Sequence, residues 1–136
     1  MSYIRKKGIV YKNQYHIIFT PKYRRKVLVD GIDERLKQIL LEVAKDYDSN
    51  IKVMEVMPDH VHLFIELDPR VSIDGIIKTF TGRSARILRK EFPNLKSRIP
   101  CLWTRSYFCA TIGAITEDTI KKYIEEQKNV WPYSRA

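Results

Sequence analysis

Cysteine is scarce: two residues in 136, Cys101 and Cys109, so no disulfide framework can staple the fold and nothing points to an oxidising compartment. Long apolar runs are missing too. The longest uncharged stretch, Ser106 to Thr116, has eleven residues, far short of the roughly 20 that cross a bilayer. No apolar segment of the kind a secretory signal needs follows the basic N-terminus. These absences predict a cytoplasmic protein with no membrane partner. No repeat, low-complexity tract or Gly-, Ser- or Pro-rich linker divides the chain. A mass of 16.1 kDa leaves little room for two cores, so a single domain over residues 1–136 is expected. A hydrophobic fraction of 44% with 30% charged residues excludes wholesale disorder.

Acidic residues are absent from Met1 to Val29, where eight basic ones fall. Asp30 to Asp68 reverses the balance, with four basic against ten acidic, and Arg70 to Ser106 restores it with nine against two. The chain carries a net charge of +9. Two basic segments flanking an acidic one suit a polyanion-binding surface better than a uniform cationic tail, although a plain solvated basic face gives the same totals.

The order of elements follows from periodicity. Val10–Thr20 is rich in β-branched and aromatic residues and stops at Pro21, as a strand does. A basic loop, Pro21 to Lys26, follows. Ile32, Leu36, Ile39, Leu40 and Val43 recur at helical spacing through Tyr47, with Asp33 and Glu34 in the first turn. Ile51–Met57 and His60–Leu67 read as strands joined at Pro58–Asp59. Ser72 caps a helix running to Phe92, with Pro93 as its stop. Cys101–Trp103 and Tyr107–Ile112 read as short strands, and Glu117–Lys128 as a last helix capped by Thr116. This β-α-β-β-α-β-β-α order predicts an α+β, ferredoxin-like (RRM-like) antiparallel sheet. Its helices lie mainly on one face, with an extra strand and a C-terminal helix that bears Tyr123.

His60–Val61–His62 is the most informative triplet. Residues two apart on a strand share a face, so both imidazoles can reach one cation while Val61 turns into the packed layer. Two half-buried sheet histidines are the alternative, and the bare motif by itself favours them. In the last helix Tyr123 and Gln127, four apart, lie on one face. They are either a packing aromatic with an edge amide, or a phenolate nucleophile with a neutral oxygen ligand. A phenol with an ordinary pKa of about 10 attacks phosphorus only with help from a base, a metal or positive surroundings. His16 is read as structural, and Asp59 chiefly as a turn residue beside Glu55.

Met57–Pro58–Asp59–His60–Val61–His62–Leu63, with Tyr123–Ile124–Glu125–Glu126–Gln127, resembles the TnpA-type HUH transposases. These are the single-tyrosine enzymes of small bacterial and archaeal insertion sequences. Tyr15–His16–Ile17–Ile18–Phe19 running into Pro21–Lys22–Tyr23–Arg24 resembles their first strand and basic loop. Leu102–Trp103 with Ser106–Tyr107–Phe108 resembles their late hairpin. One departure is Thr81, before Gly82, where the family often has lysine.

The resemblance implies an enzyme that cleaves and rejoins single-stranded DNA beside subterminal hairpins at insertion-sequence ends. His60, His62 and Gln127 would hold Mg²⁺ or Mn²⁺, and Tyr123 would form a 5′-phosphotyrosine link. It also implies a homodimer in which the tyrosine helix of one subunit often completes the site of the other. Lys22, Arg24, Arg25 and Lys26 in the first loop, and Lys78, Arg83 and Arg86 on the second helix, are the expected backbone contacts. Trp103, Arg105 and Tyr107 would stack on unpaired bases, unless they are core aromatics of a strand. A non-catalytic ferredoxin-like nucleic-acid binder, such as a domesticated transposase, is the main alternative. A metal-dependent hydrolase that uses only His60 and His62 is another.

Overall fold

A computed structural model describes residues 3–111 together with Lys122, Ile124 and Glu125. The chain opens with a hairpin of β1 (Ile4–Lys6) and β2 (Ile9–Tyr11). Lys6 pairs with Ile9, so Lys7 and Gly8 form a two-residue turn, both at positive φ (50° and 79°) as such hairpins require. β3 (Gln14–Phe19) follows separately. The single strand expected over Val10–Thr20 is thus two, broken at Lys12 and Asn13, and its first part pairs backwards with β1.

α1 (Ile32–Asp46) buries Leu36, Ile39, Leu40 and Val43 completely. Gly31 caps its start at φ 94°, without a side-chain cap. β4 (Asn50–Met57) and β5 (His60–Glu66) form a hairpin closed by Pro58 and Asp59. α2 (Ile73–Glu91) starts where expected, with the Ser72 hydroxyl accepting from the Gly75 amide at 3.1 Å. Pro93 ends α2 and also opens a short α3 (Pro93–Arg98), because a first-turn proline loses no helical hydrogen bond. β6 (Phe108–Thr111) completes the described strands.

Cys101–Trp103 is not a strand. A single bridge links Trp103 to Pro21, with the Lys22 amide donating to Leu102 at 2.8 Å and the Thr104 amide to Thr20 at 3.0 Å. Pro21 has no N–H with which to lengthen that ladder. The helix expected over 117–128 lies outside the described residues, apart from Lys122, Ile124 and Glu125, which are helical.

The main sheet has the order β4-β5-β3-β6, all antiparallel, which is the ferredoxin-like α+β arrangement. Ile17, Phe19, Val61, Leu63 and Ile65 point from the two central strands into a core shared with α1 and α2. β4 explains why its sequence looks apolar on both faces. A bulge between Ile51 and Val53 flips the alternation, so Ile51, Met54 and Val56 pack on the core while Val53, Glu55 and Met57 face the other way. No helix among the described residues is long and apolar enough to cross a membrane.

Asp68, just past β5 and only 2% exposed, ties the first hairpin to the sheet. Its carboxylate accepts from Arg70 at 2.7 Å and pairs with Lys6 at 3.3 Å. The Arg70 side chain and amide hold this carboxyl well below the usual range against the opposing effect of burial, and Lys6 adds to their pull. A lowered folded pKa stabilises the fold above the unfolded value, near 3.9, and that contribution is lost as pH falls toward the folded value. Asp68→Asn is therefore expected to lower the melting temperature at pH 7, with the gap to wild type closing only below about pH 4. Circular dichroism melts at pH 7, 5, 4 and 3 check this, and a gap that closes between pH 7 and 5 contradicts it.

Candidate functional site

β5 carries the site because its two histidines alternate with core residues. Val61 and Leu63 are fully buried against the helices, whereas His60 and His62 are half-buried on the opposite face. The pairing register sets their neighbours: Glu55 stands opposite His62 on β4, and Ile18 stands opposite it on β3.

Each ring has its Nδ1 on a carboxylate. His60 Nδ1 lies 2.9 Å from Asp59 Oδ1, and His62 Nδ1 lies 3.0 Å from Glu55 Oε1. An ionised carboxylate only accepts, so each Nδ1 is the donor, and in the neutral ring Nε2 carries the lone pair. Asp59 splits its oxygens, the second accepting from Arg24 Nε at 2.9 Å. Burial by itself would raise the Asp59 pKa, but the His60 hydrogen bond and the Arg24 charge outweigh it, and the carboxyl stays below its ordinary value.

His16, read from the sequence as structural, stands in the same cluster. Its Nδ1 lies 3.0 Å from His62 Nε2, and its ring stacks on those of His62 and Phe64 at 5.2 and 5.3 Å between centroids. With the His62 lone pair on Nε2, His16 Nδ1 is the donor of that bond. Burial first, and the neighbouring His62 second, lower the His16 pKa, which favours its neutral form. The clue in the sequence is parity: His16 sits two before Ile18, so it shares the face of whatever stands opposite Ile18. Among the described residues no group of three His, Cys, Asp or Glu side chains can hold a metal ion by itself. Tyr123 and Gln127 lie outside the described residues.

The basic residues separate into two groups. Arg25, Lys26, Lys78, Arg86 and Arg105 are exposed, with Arg25 stacked 5.6 Å over the Tyr23 ring and Lys78 paired to Asp74 at 3.0 Å. Lys22 is half-buried. Arg83 is held by Asp46 at 2.9 Å.

Two expected DNA contacts turn inward instead. The Arg24 side chain is 13% exposed and bound to Asp59. Trp103 is 6% exposed, packs edge-on against Phe19 at 4.9 Å, and donates its indole N–H to Ser84 at 2.9 Å. A ring so enclosed has no face for a base. Beside it, the segment from Cys101 to Tyr107 and α2 enclose a groove of about 320 Å³ rimmed by Lys78 and Arg105. Tyr107 closes one end, its hydroxyl donating to Asp74 at 2.9 Å; burial and then this bond raise its pKa.

Residues 9–127 match the family model "Transposase IS200 like". The chain is 40% identical over 123 residues to the ISDra2 transposase TnpA of Deinococcus radiodurans, covering 89% of this chain and 88% of that protein. It is 31% identical over 120 residues to the transposase for insertion sequence element IS200 of Salmonella typhimurium, covering 85% and 79%. A crystal structure of a Deinococcus radiodurans protein assigned as a transposase superposes with a TM-score of 0.84 at 39% identity, over 91% of this chain and 97% of that one. A REP-associated tyrosine transposase solved with a REP hairpin shares the fold, with a TM-score of 0.59 at 18% identity over 96% and 76%. The matched residues include the strand that presents the paired histidines, and they place the chain in the class of insertion-sequence transposases. The chain belongs to the IS200-like transposase family.

The ring assignments are directly measurable. In metal-free protein, under conditions where the rings are neutral, long-range ¹H–¹⁵N spectra are expected to show His60 and His62 as Nδ1–H tautomers, with His16 titrating below the ordinary histidine range. Glu55→Ala should shift the His62 Nδ1 signal, which loses its acceptor, and leave His60 unchanged. A His62 signal insensitive to Glu55 would contradict the geometry.

Proposed function

We propose that this chain, as one domain, cleaves and rejoins single-stranded DNA at insertion-sequence ends through a 5′-phosphotyrosine intermediate on Tyr123. The observation that carries this reading is the pair of carboxylate-anchored imidazoles on one sheet face. Orienting carboxylates behind histidine Nδ1 atoms are what a metal centre needs, since they fix the ring and put the lone pair on Nε2; in His62 that nitrogen accepts from His16, a bond that a metal ion would displace. A binding module would have no use for that arrangement.

The donor set fits a divalent ion. His60 and His62 would hold it with Gln127, and when bound it supplies positive charge that polarises the scissile phosphate. Neutral imidazoles leave the full ionic charge available, and nitrogen ligands suit Mn²⁺ somewhat better than Mg²⁺. Asp59 and Glu55 keep the two rings in one tautomer. The Tyr123 hydroxyl gives up its proton to solvent and attacks phosphorus, while the bond to the 3′-oxygen of the flanking strand breaks and that oxygen takes up a proton as a free 3′-OH. Reversal by a 3′-OH restores the phosphodiester and the phenol, so rejoining needs no nucleotide cofactor.

The substrate is single-stranded DNA with a subterminal hairpin, and the working form is a homodimer, as the resemblance to TnpA-type enzymes implies. The exposed cations of the first loop, α2 and Arg105 supply the phosphate contacts.

Incubation of the protein with end-labelled single-stranded hairpins and Mn²⁺ is expected to yield a protein–DNA adduct that survives denaturation. Tyr123→Phe should abolish both adduct and cleavage, whereas cleavage that persists in this variant would instead indicate a hydrolase using His60 and His62. His60→Ala should lower the rate by 10-fold or more, on the order seen when metal-site geometry is lost. Affinity for the hairpin should fall with salt by roughly 0.7 log units per phosphate contact per log unit of salt. Salt-independent binding would remove the basic surface from the argument.

A further inference from the structure

Arg24 touches two parts of the chain that the proposed reaction requires. The backbone at Tyr23 and Arg24 takes positive φ, 63° and 51°, a region non-glycine residues seldom adopt. This turn carries the guanidinium inward. Its Nε donates to Asp59 Oδ2 at 2.9 Å, and the other oxygen of Asp59 holds His60 Nδ1 at 2.9 Å. Its Nη1 donates to the Ile124 carbonyl at 2.9 Å and lies 3.6 Å from Glu125 Oε2. Ile124 and Glu125 directly follow Tyr123 in the sequence.

We propose that Arg24 is a positioning residue that links the His60 ring, through Asp59, to the backbone segment carrying Tyr123. The inference rests on the reading of Tyr123 and His60 given above, and it removes Arg24 from the set of phosphate contacts. Arginine suits this role because its planar fork presents separate donors at fixed angles, one for each partner. Lysine offers the same charge from a single point on a flexible stem and cannot span both. At a phosphate lysine keeps the charge contact and loses only the fork, whereas here it loses one of the two partners.

The test compares the full-length wild-type chain with Arg24→Lys and Arg24→Ala. Three quantities are read: affinity and salt slope for a single-stranded hairpin, single-turnover adduct formation at saturating hairpin with Mn²⁺, and ¹⁵N signals of the His60 ring in metal-free protein. Both variants are expected to bind the hairpin within about twofold of wild type, with an unchanged salt slope. Adduct formation should fall about 10- to 100-fold, the range typical of lost orienting partners, and the His60 signals should shift away from the Nδ1–H pattern.

Weaker binding with a smaller salt slope and an unchanged saturating rate would make Arg24 a phosphate contact and overturn the proposal. A lower melting temperature alone, with the rate and His60 signals of the folded protein unaltered, would make its role merely structural and also overturn it. Should Arg24→Ala fail to fold, Arg24→Lys decides on the same readouts. If wild type itself forms no adduct, the proposed function has failed independently. The His60 spectrum then decides the orienting half of the inference: a shift in Arg24→Lys supports it and an unchanged ring overturns it.

Discussion

Ile18 stands opposite His62 where β3 and β5 pair, and side chains alternate along both strands. A slip of one residue would send His60 and His62 into the layer filled by Val61 and Leu63, and bring those aliphatic groups out. Hydrophobic burial makes that slip costly. Ile17, Phe19, Val61, Leu63 and Ile65 are 0–1% exposed, and each fills space against α1 or α2. At about 1.5–3 kcal/mol per large buried side chain, exposing several would exceed the stability of a small domain. The imidazole pair is thus held in register by residues that take no part in any chemistry.

Register alone leaves the rings free to rotate, and carboxylates on neighbouring positions supply the second constraint. Asp59 comes from the hairpin turn and Glu55 from the neighbouring strand, so each acid is delivered by the same β4–β5 pairing that places its histidine. Ile18 is fully buried beside His62, whereas the Glu55 side chain is 60% exposed, so its bond to His62 stays open to water. His16 adds a third ring from β3.

How much of this was legible in the sequence depended on the range of the interaction that decides it. α1, α2, the Ser72 cap and the β4–β5 hairpin follow from local periodicity and turn chemistry, and all are present. The shared face of His60 and His62 also needs nothing beyond strand parity. His16 needed more: its neighbour is set by the register of a strand 46 residues away in the sequence. Arg24 was hidden for a different reason, because Tyr23 and Arg24 adopt positive φ without the Gly or Asn that usually announces it. Trp103 stayed open to two readings, a stacking surface or a core aromatic, and the enclosure by Ser84 and Phe19 favours the second. The Lys7–Gly8 turn lies just before the run of strand formers from Val10 and went unread although a glycine marks it.

The charge pattern takes on a different meaning once the pairs are located. Asp59, Asp68 and Glu55, from the acidic middle segment, bind Arg24 and His60, Arg70 and Lys6, and His62 respectively. Arg35 and Arg83 hold Glu91 and Asp46. Several of the cations behind the net charge of +9 are therefore engaged in internal pairs, as are several of the acids that follow Val29. A paired guanidinium contributes little to the field a polyanion meets, since its carboxylate cancels it within a Debye length of about 8 Å. The surface able to attract DNA is then drawn from exposed residues such as Arg25, Lys26, Arg86 and Arg105. Total charge is compatible with such a surface, and the map of internal pairs says which cations remain to compose it.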